Sequence, residues 1–393
     1  MKKMFINVSK EKNIEIAITD NKNLYHFFIE KLYKNKINNI YFGKVKNIEL
    51  SLDAIFIDYG YKKSGFLPFK NIYKKKIKKK FLVQIVKEEI KKKRVLLTTF
   101  ICFYGLYIIL ILNKPNIQKI SKKIMGIHRY RLKKIISLLK IPKKMGIILR
   151  TTSKIKDIKE LQLDCNIQVK IYKNLKLKKN KKIDYIQKNN IIFTIIRNII
   201  IFNLNKIIIN NIKLFNKIKN FLLFFKEKKF LNKIKYFKNK TKIFDFYKIN
   251  FKISKIFKKK VNLISGSSLI FDFTDALTII DVNSSNSMKG KNFEETAFNT
   301  NLESLFEIIR QIRIRDLGGI IIIDFINMSN KKNQKKIEFF LKKISRREFS
   351  KITIGKISKF GLLELSRQKL YTNVEILKIK KCNKCFGTGK IFD

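Results

Sequence analysis

Asp281 and Asn283 stand two residues apart in the run LTIIDVNSS, and Asp324 closes the run GGIIIID. Alternation along a strand sends residues i and i+2 to one face, so Asp281 and Asn283 project together. Ligands of open α/β sheets gather beyond the carboxyl ends of strands, where acids from two strands can converge. Carboxylates brought together repel unless a cation lies between them. Magnesium suits such a pair, because it takes oxygen ligands, keeps several waters and is held by one or two carboxylates plus a substrate phosphate. It can then activate a water and offset charge developing on a phosphodiester. Asn283 both donates and accepts, which suits it to orient the attacking water or a carboxylate. The same acids would also serve as helix caps or lysine partners, and residue types alone leave that choice open.

A second motif, CNKCFGTGK over 382–390, places Cys382 and Cys385 ahead of two glycines in the manner of a zinc knuckle. Tetrahedral zinc takes four ligands. His26, His128, Cys102 and Cys165 all lie in distant segments. Two chains, each giving one cysteine pair to a shared zinc, would complete the set and make the metal a dimer clamp. A redox CxxC is the alternative, but that motif normally opens a helix in a thioredoxin-like setting, which is absent here.

The elements that must position these residues sit in an unusual composition. Of 393 residues, 89 are Lys or Arg and 29 are Asp or Glu, a formal net charge of +60. Such a balance points to a polyanion, nucleic acid first. Lys, Ile, Asn and Phe are abundant together, however, and all four share A/T-rich codons, so a biased genome can raise the lysine content with no selection for binding. Four cysteines in a chain of this length do not make a secreted disulfide framework. The start alternates apolar and polar residues without a signal-peptide core. The run Phe100 to Leu112 is too short to span a bilayer and reads as buried strands. These features predict a cytoplasmic protein with no transmembrane segment.

Along the chain, residues 1–38 read as short strands, and 39–113 as closely spaced β-runs that suggest a small barrel. Such barrels bind single strands by stacking bases on aromatics. Phe56, Tyr59 and Phe66 are the stacking candidates, with Phe56 as plain core the alternative. Residues 114–192 carry a helix (RLKKIISLLK) and the run MGIILRTTS. An Ile/Asn/Lys/Phe-rich tract of low complexity covers 193–257 and reads as folded. In 258–380, VNLISGSSLIFDFTDALTIIDVNSS predicts a strand pair. Phe293, Ala297, Phe298, Leu302, Leu305, Ile309 and Ile312 then mark an amphipathic helix. Gly318 and Gly319 stop it before IIIIDF, which reads as a fully buried strand of a largely parallel sheet.

TDALTIIDVNSS, FEETAFNTNLE, RDLGGIIIIDF, ISKFGLLELSRQ and CNKCFGTGK together resemble the bacterial ribonuclease E/G family, the E branch more than the G branch. The resemblance implies a multi-domain α/β and β protein. An OB-type RNA-binding barrel (39–113) would be inserted in an RNase H-like region (1–38 and 193–257), with a 5′-end sensor at 114–192. A deoxyribonuclease I-like α/β nuclease domain (258–380) and a zinc-link (381–393) would follow. It implies catalytic Mg²⁺ on Asp281 and Asp324, with Asn283 supporting the attacking water or a metal ligand. Zinc on Cys382 and Cys385 would join protomers of a homotetramer, a dimer of dimers, or of a homodimer. RNA contacts fall on Phe56, Phe66, Arg150, Thr151 and Lys351. The implied reaction is hydrolysis of single-stranded A/U-rich RNA to 5′-phosphate and 3′-hydroxyl ends, in RNA processing and decay. A non-catalytic RNA-binding descendant of a nuclease is the alternative. The chain departs from the family at Asn383, where proline is usual, and at Lys351, where arginine is usual. No scaffold region for other decay enzymes is recognisable.

Overall fold

The computed structural model describes residues 1–369 except 10–12, 22, 32–36, 74–78, 88–93, 178–190, 240, 257, 275, 285–291, 347 and 349. The chain forms two compact units. One comprises Met1–Leu32, Leu204–Phe215 and Lys233–Asp393, the other Tyr33–Asn203 and Asn216–Asn232. Strands and helices are numbered in chain order.

In the first unit, β1 (Lys2–Val8), β2 (Asn13–Asp20) and β3 (Asn23–Lys31) form an antiparallel meander. On its open side β1 pairs in parallel with β13 (Lys206–Ile209), and β13 with β14 (Ile234–Tyr236). The low-complexity tract therefore contributes two strands to a five-stranded sheet of order β14-β13-β1-β2-β3. One face of it packs Phe5, Ala17, Phe27 and Ile208 against Ile243, Phe244, Ile249 and Ile253 of the short helices Ile243–Phe246 and Ile249–Ile256.

The same unit holds a six-stranded sheet of β15 (Lys260–Asn262), β16 (Ser268–Phe273), β17 (Leu277–Asn283), β18 (Gly319–Asp324), β19 (Ile352–Ile357) and β20 (Leu362–Arg367). Its order is β15-β16-β17-β18-β20-β19. Only β17 and β18 run parallel, joined by the long helix Phe293–Ile314, so the largely parallel sheet expected from sequence is not what forms. Hairpin connections reverse the direction at β15-β16-β17 and at β19-β20. The expected strand pair is thus a three-stranded meander.

Asn292 caps the long helix by accepting from the Glu294 N–H, and Glu294 and Glu295 place negative charge in its first turn. Left-handed Asp316 (φ 48°) and Gly319 (φ 97°) turn the chain into β18. Leu305, Ile308, Ile309 and Ile312 of this helix cover one sheet face together with Ile337 and Leu341 of the helix Lys331–Ser345. Phe271, Ile280, Val282, Ile321, Ile323, Leu363 and Leu365 come from the sheet itself. Each such side chain contributes about 1.5–3 kcal/mol by burial. Phe293, expected on the apolar stripe, is instead exposed at the first turn, ahead of the core. β18 is buried on one face only: Ile321 and Ile323 are inaccessible while Ile320 is 52% exposed. The unbroken isoleucine run hid that alternation.

In the second unit, β4 (Ile40–Glu49), β5 (Ala54–Asp58), β6 (Gly65–Pro68), β7 (Lys80–Lys87) and β8 (Leu96–Thr98) close a barrel in the order β4-β5-β6-β8-β7. A closed five-stranded barrel is consistent with an OB-type domain. Tyr41, Ile55, Ile57, Tyr59, Leu67, Val83, Ile85 and Leu97 fill it. A four-stranded sheet follows, of β9 (Cys102–Tyr104), β10 (Ile108–Leu112), β11 (Gln118–Ile120) and β12 (Met145–Leu149), in the order β11-β12-β10-β9. The helix Gly126–Leu138 falls where a helix was predicted. Among the described residues, no helix is long and apolar enough to cross a membrane.

Candidate active site

With one face of the six-stranded sheet under helices, the other is left free for chemistry, and it carries both acids. Asp281 of β17 and Asp324 of β18 are register partners across the single parallel pair, on strands that lie about 4.8 Å apart. They project from the face opposite Ile280, Val282 and Ile323, at the carboxyl ends of both strands. Asn283 shares that face, and its Nδ2 donates to Asp281 Oδ2 at 2.7 Å. This bond fixes one Asp281 oxygen and leaves the asparagine carbonyl free to accept. Partial desolvation, and next to it the Asp281 carboxylate, raise Asp324 above the usual carboxylate range. Loss of hydration and a neighbouring like charge both disfavour the ionised form.

The donor set suits a hard cation. Among the described residues, no three His, Cys, Asp or Glu side chains are grouped to hold a metal. Magnesium needs only one or two carboxylates, the remaining positions being water or phosphate oxygen, whereas zinc takes at least three protein ligands. Asp281 and Asp324 therefore fit magnesium. Cys382 and Cys385 lie outside the described residues.

On the barrel, Ile55 and Ile57 point inward and Phe56 between them points out, half-buried, so Phe56 is not core. Phe66, its partner on β6, stands 6.0 Å away between ring centroids. The Arg94 guanidinium lies 4.7 Å over the Phe56 ring. A cleft of about 650 Å³ opens beside Phe66, with Leu52, Phe69 and Lys70 on its walls. Tyr59 is 4% exposed within the barrel core and is removed from the stacking candidates.

Arg150 follows β12 directly and precedes the tight turn Thr151–Ser153, which Thr151 begins. Bonds from Arg150 N to Tyr107 O (2.8 Å) and from Thr152 Oγ1 to Leu106 O (2.6 Å) pin that turn. The Thr151 side chain is exposed and Arg150 is half-buried. Lys351 is exposed just before β19.

A model described as the Ribonuclease E/G family matches residues 102–370, which include Arg150, Thr151, Asp281, Asn283, Asp324 and Lys351. This chain belongs to the ribonuclease E/G family. It is 42% identical to a putative ribonuclease E of Buchnera aphidicola subsp. Baizongia pistaciae, over 94% of this chain and 96% of that relative. Against ribonuclease E of Buchnera aphidicola subsp. Schizaphis graminum it is 41% identical over its whole length, which spans 43% of that protein. The Escherichia coli K12 ribonuclease E is 36% identical, with 100% of this chain and 39% of the relative covered. A ribonuclease G of Salmonella typhimurium is 26% identical over 99% of this chain and 84% of its own length. Within the family the chain thus lies nearer the ribonuclease E relatives, and corresponds to a part of the longer ones.

Arginine is scarce in this family member. Only 11 of its 89 basic residues are arginine. Lysine matches the charge of arginine but not its planar fork, and several arginines among the described residues are held by defined partners. Arg313 pairs with Glu348, and Arg367 with Asp316 at 2.8 Å. Arg315 bonds Gln311 and the Lys258 carbonyl, and Arg129 three backbone carbonyls. Arg94 bonds the Ser64 hydroxyl while lying over Phe56. The rarity of arginine was the signal that would have found Arg94.

Proposed function

We propose that this chain is an endoribonuclease that hydrolyses single-stranded RNA at the face bearing Asp281, Asn283 and Asp324. The observation that carries the reading is the register pairing of the two carboxylates on the open face of the sheet, with Asp324 raised by its neighbour. Magnesium, when bound by Asp281 and Asp324, would supply a water of lowered pKa and a positive charge against the phosphate oxygens. Asn283 holds the Asp281 carboxylate in one orientation, and its carbonyl oxygen can accept from a water placed for attack. In the hydrolysis, the water oxygen forms a bond to phosphorus while the bond from phosphorus to the 3′ oxygen breaks. The proton passes to that oxygen, leaving a 3′-hydroxyl and a 5′-phosphate. Phe56 and Phe66 would stack bases on the outer barrel face, with Arg94 against a phosphate or a base. Arg150 and Thr151 would receive a 5′-monophosphate through a guanidinium fork and a hydroxyl, and Lys351 would add a further phosphate contact.

Asp281→Asn and Asp324→Asn are each expected to abolish cleavage of a 5′-monophosphorylated A/U-rich oligoribonucleotide while its binding survives. Cleavage retained in both purified variants removes the metal assignment. Absence of cleavage by the unaltered chain at every Mg²⁺ concentration, despite tight binding, favours the non-catalytic reading.

Cys382 and Cys385 supply two thiolates, half of a tetrahedral zinc set. We propose that two chains share one zinc, within a homotetramer or a homodimer. Sedimentation before and after chelation is expected to register a fall to half the mass. An assembly of unchanged mass once zinc has left would end that proposal.

A further inference from the structure

Of the half-buried or buried arginines among the described residues, two are not claimed by a carboxylate or a set of carbonyls, and they are neighbours. Arg150 makes one long bond, from Nη1 to the Gly105 carbonyl at 3.4 Å. Arg197 is half-buried on the helix Ile191–Phe202, which packs on the turn Thr151–Ser153, and among the described residues it makes neither a hydrogen bond nor an ion pair. Burial, and next the Arg197 guanidinium, push Arg150 down to about 9. The nearby acids are committed elsewhere. Asp164 accepts from the Tyr107 and Ile108 N–H groups at 2.8 and 3.1 Å and from Gln168 at 3.2 Å, and burial raises it toward the neutral form. Glu160 and Glu227 are taken up by Lys156, at 2.7 and 2.9 Å.

Two guanidiniums near each other, with Asp164 already engaged by three N–H donors, are costly unless an anion joins them, and a dianion with three terminal oxygens can satisfy both forks at once. We propose that Arg197 is a second arginine of the 5′-end pocket, gripping together with Arg150 the terminal phosphate monoester of the RNA. The inference rests on the reading of Arg150 and Thr151 as that pocket. It also specifies the ligand: a monoester dianion engages both forks, whereas a 5′-hydroxyl engages neither.

The test compares the affinity of the full chain for one A/U-rich oligoribonucleotide bearing either a 5′-monophosphate or a 5′-hydroxyl, without added magnesium. Arg197→Gln is expected to cut the preference for the monophosphate by about ten-fold or more, as Arg150→Gln does, because hydrogen bonds to charged groups are the strong ones. Arg197→Lys, which keeps the charge and is the milder change for folding, is expected to lose part of the preference. In the unaltered chain, inorganic phosphate should compete with the 5′-monophosphate RNA only. If Arg150→Gln removes the preference while both Arg197 variants retain it in full, the inference falls and the pocket stands. If neither arginine matters, the pocket reading falls as well. An Arg197→Gln that weakens both RNAs equally would make Arg197 a structural residue and overturn the proposal.

Discussion

Asp324 poses a problem for the unliganded molecule, because its environment favours the proton. Its folded pKa lies above its unfolded value, owing to desolvation and then to Asp281. By linkage, the group favours folding below the ordinary carboxylate range, and that contribution is lost as pH rises through the raised value. At neutral pH the ionised pair works against the fold until a cation separates its members. Magnesium is therefore expected to raise the melting temperature at pH 7, a concentration ten-fold over Kd adding about 1.4 kcal/mol. The shift should vanish near pH 4, where protons compete, and in Asp281→Asn or Asp324→Asn. An equal shift in both variants would show that magnesium binds elsewhere. At this scale the sequence was informative: spacing put Asp281 and Asn283 on one face, and the 2.7 Å bond between them needs nothing further. It could not reveal that Asp324 stands opposite Asp281, 43 residues away, since register between the two strands depends on how the helix between them packs.

Elements were legible where periodicity was clean and illegible where composition had flattened it. The long helix Phe293–Ile314 was readable from its three-to-four spacing, except at Phe293, which precedes the covered face. β18 was misread because four successive isoleucines carry no alternation, although only Ile321 and Ile323 are covered. A strand-helix-strand pattern fits parallel pairing and so masks strand direction, although the short turns that reverse the chain on both sides of the sheet carry Gly266 (φ 89°) and Gly361 (φ 81°). In the barrel, the alternation Ile55-Phe56-Ile57 required that Phe56 oppose the isoleucines but not which side faced inward. Its outward placement has an energetic consequence. Base-aromatic stacking is worth about 1–3 kcal/mol per base, and neither Phe56 nor Phe66 belongs to the barrel core. The double variant Phe56→Ala, Phe66→Ala is thus expected to weaken single-stranded RNA binding by at least about ten-fold in an anisotropy titration, with the melting temperature held within a few degrees. Unchanged affinity in a folded variant would move the RNA path off this face.

For the whole molecule the question is what a formal charge of +60 does. If every lysine served as a phosphate ligand, any RNA would bind, and the few placed cations would be redundant. The arginine pattern argues otherwise. Among the described residues most guanidiniums have defined partners, and Arg150 and Arg197 lie close enough to influence each other. Arg94, Arg150 and Arg197 with a few flanking lysines of the same unit would neutralise on the order of 4 to 8 phosphates. Single strands lose affinity with a slope near −0.7 per neutralised phosphate in a plot of log K against log salt, so the expected slope is about −3 to −6. It should become shallower by about one unit in Arg150→Gln with 5′-monophosphate RNA, and stay unchanged with 5′-hydroxyl RNA. A slope steeper than about −10, insensitive to the 5′ end, would mean that the lysine coat as a whole carries the binding. Recognition would then belong to the net charge and not to the placed arginines.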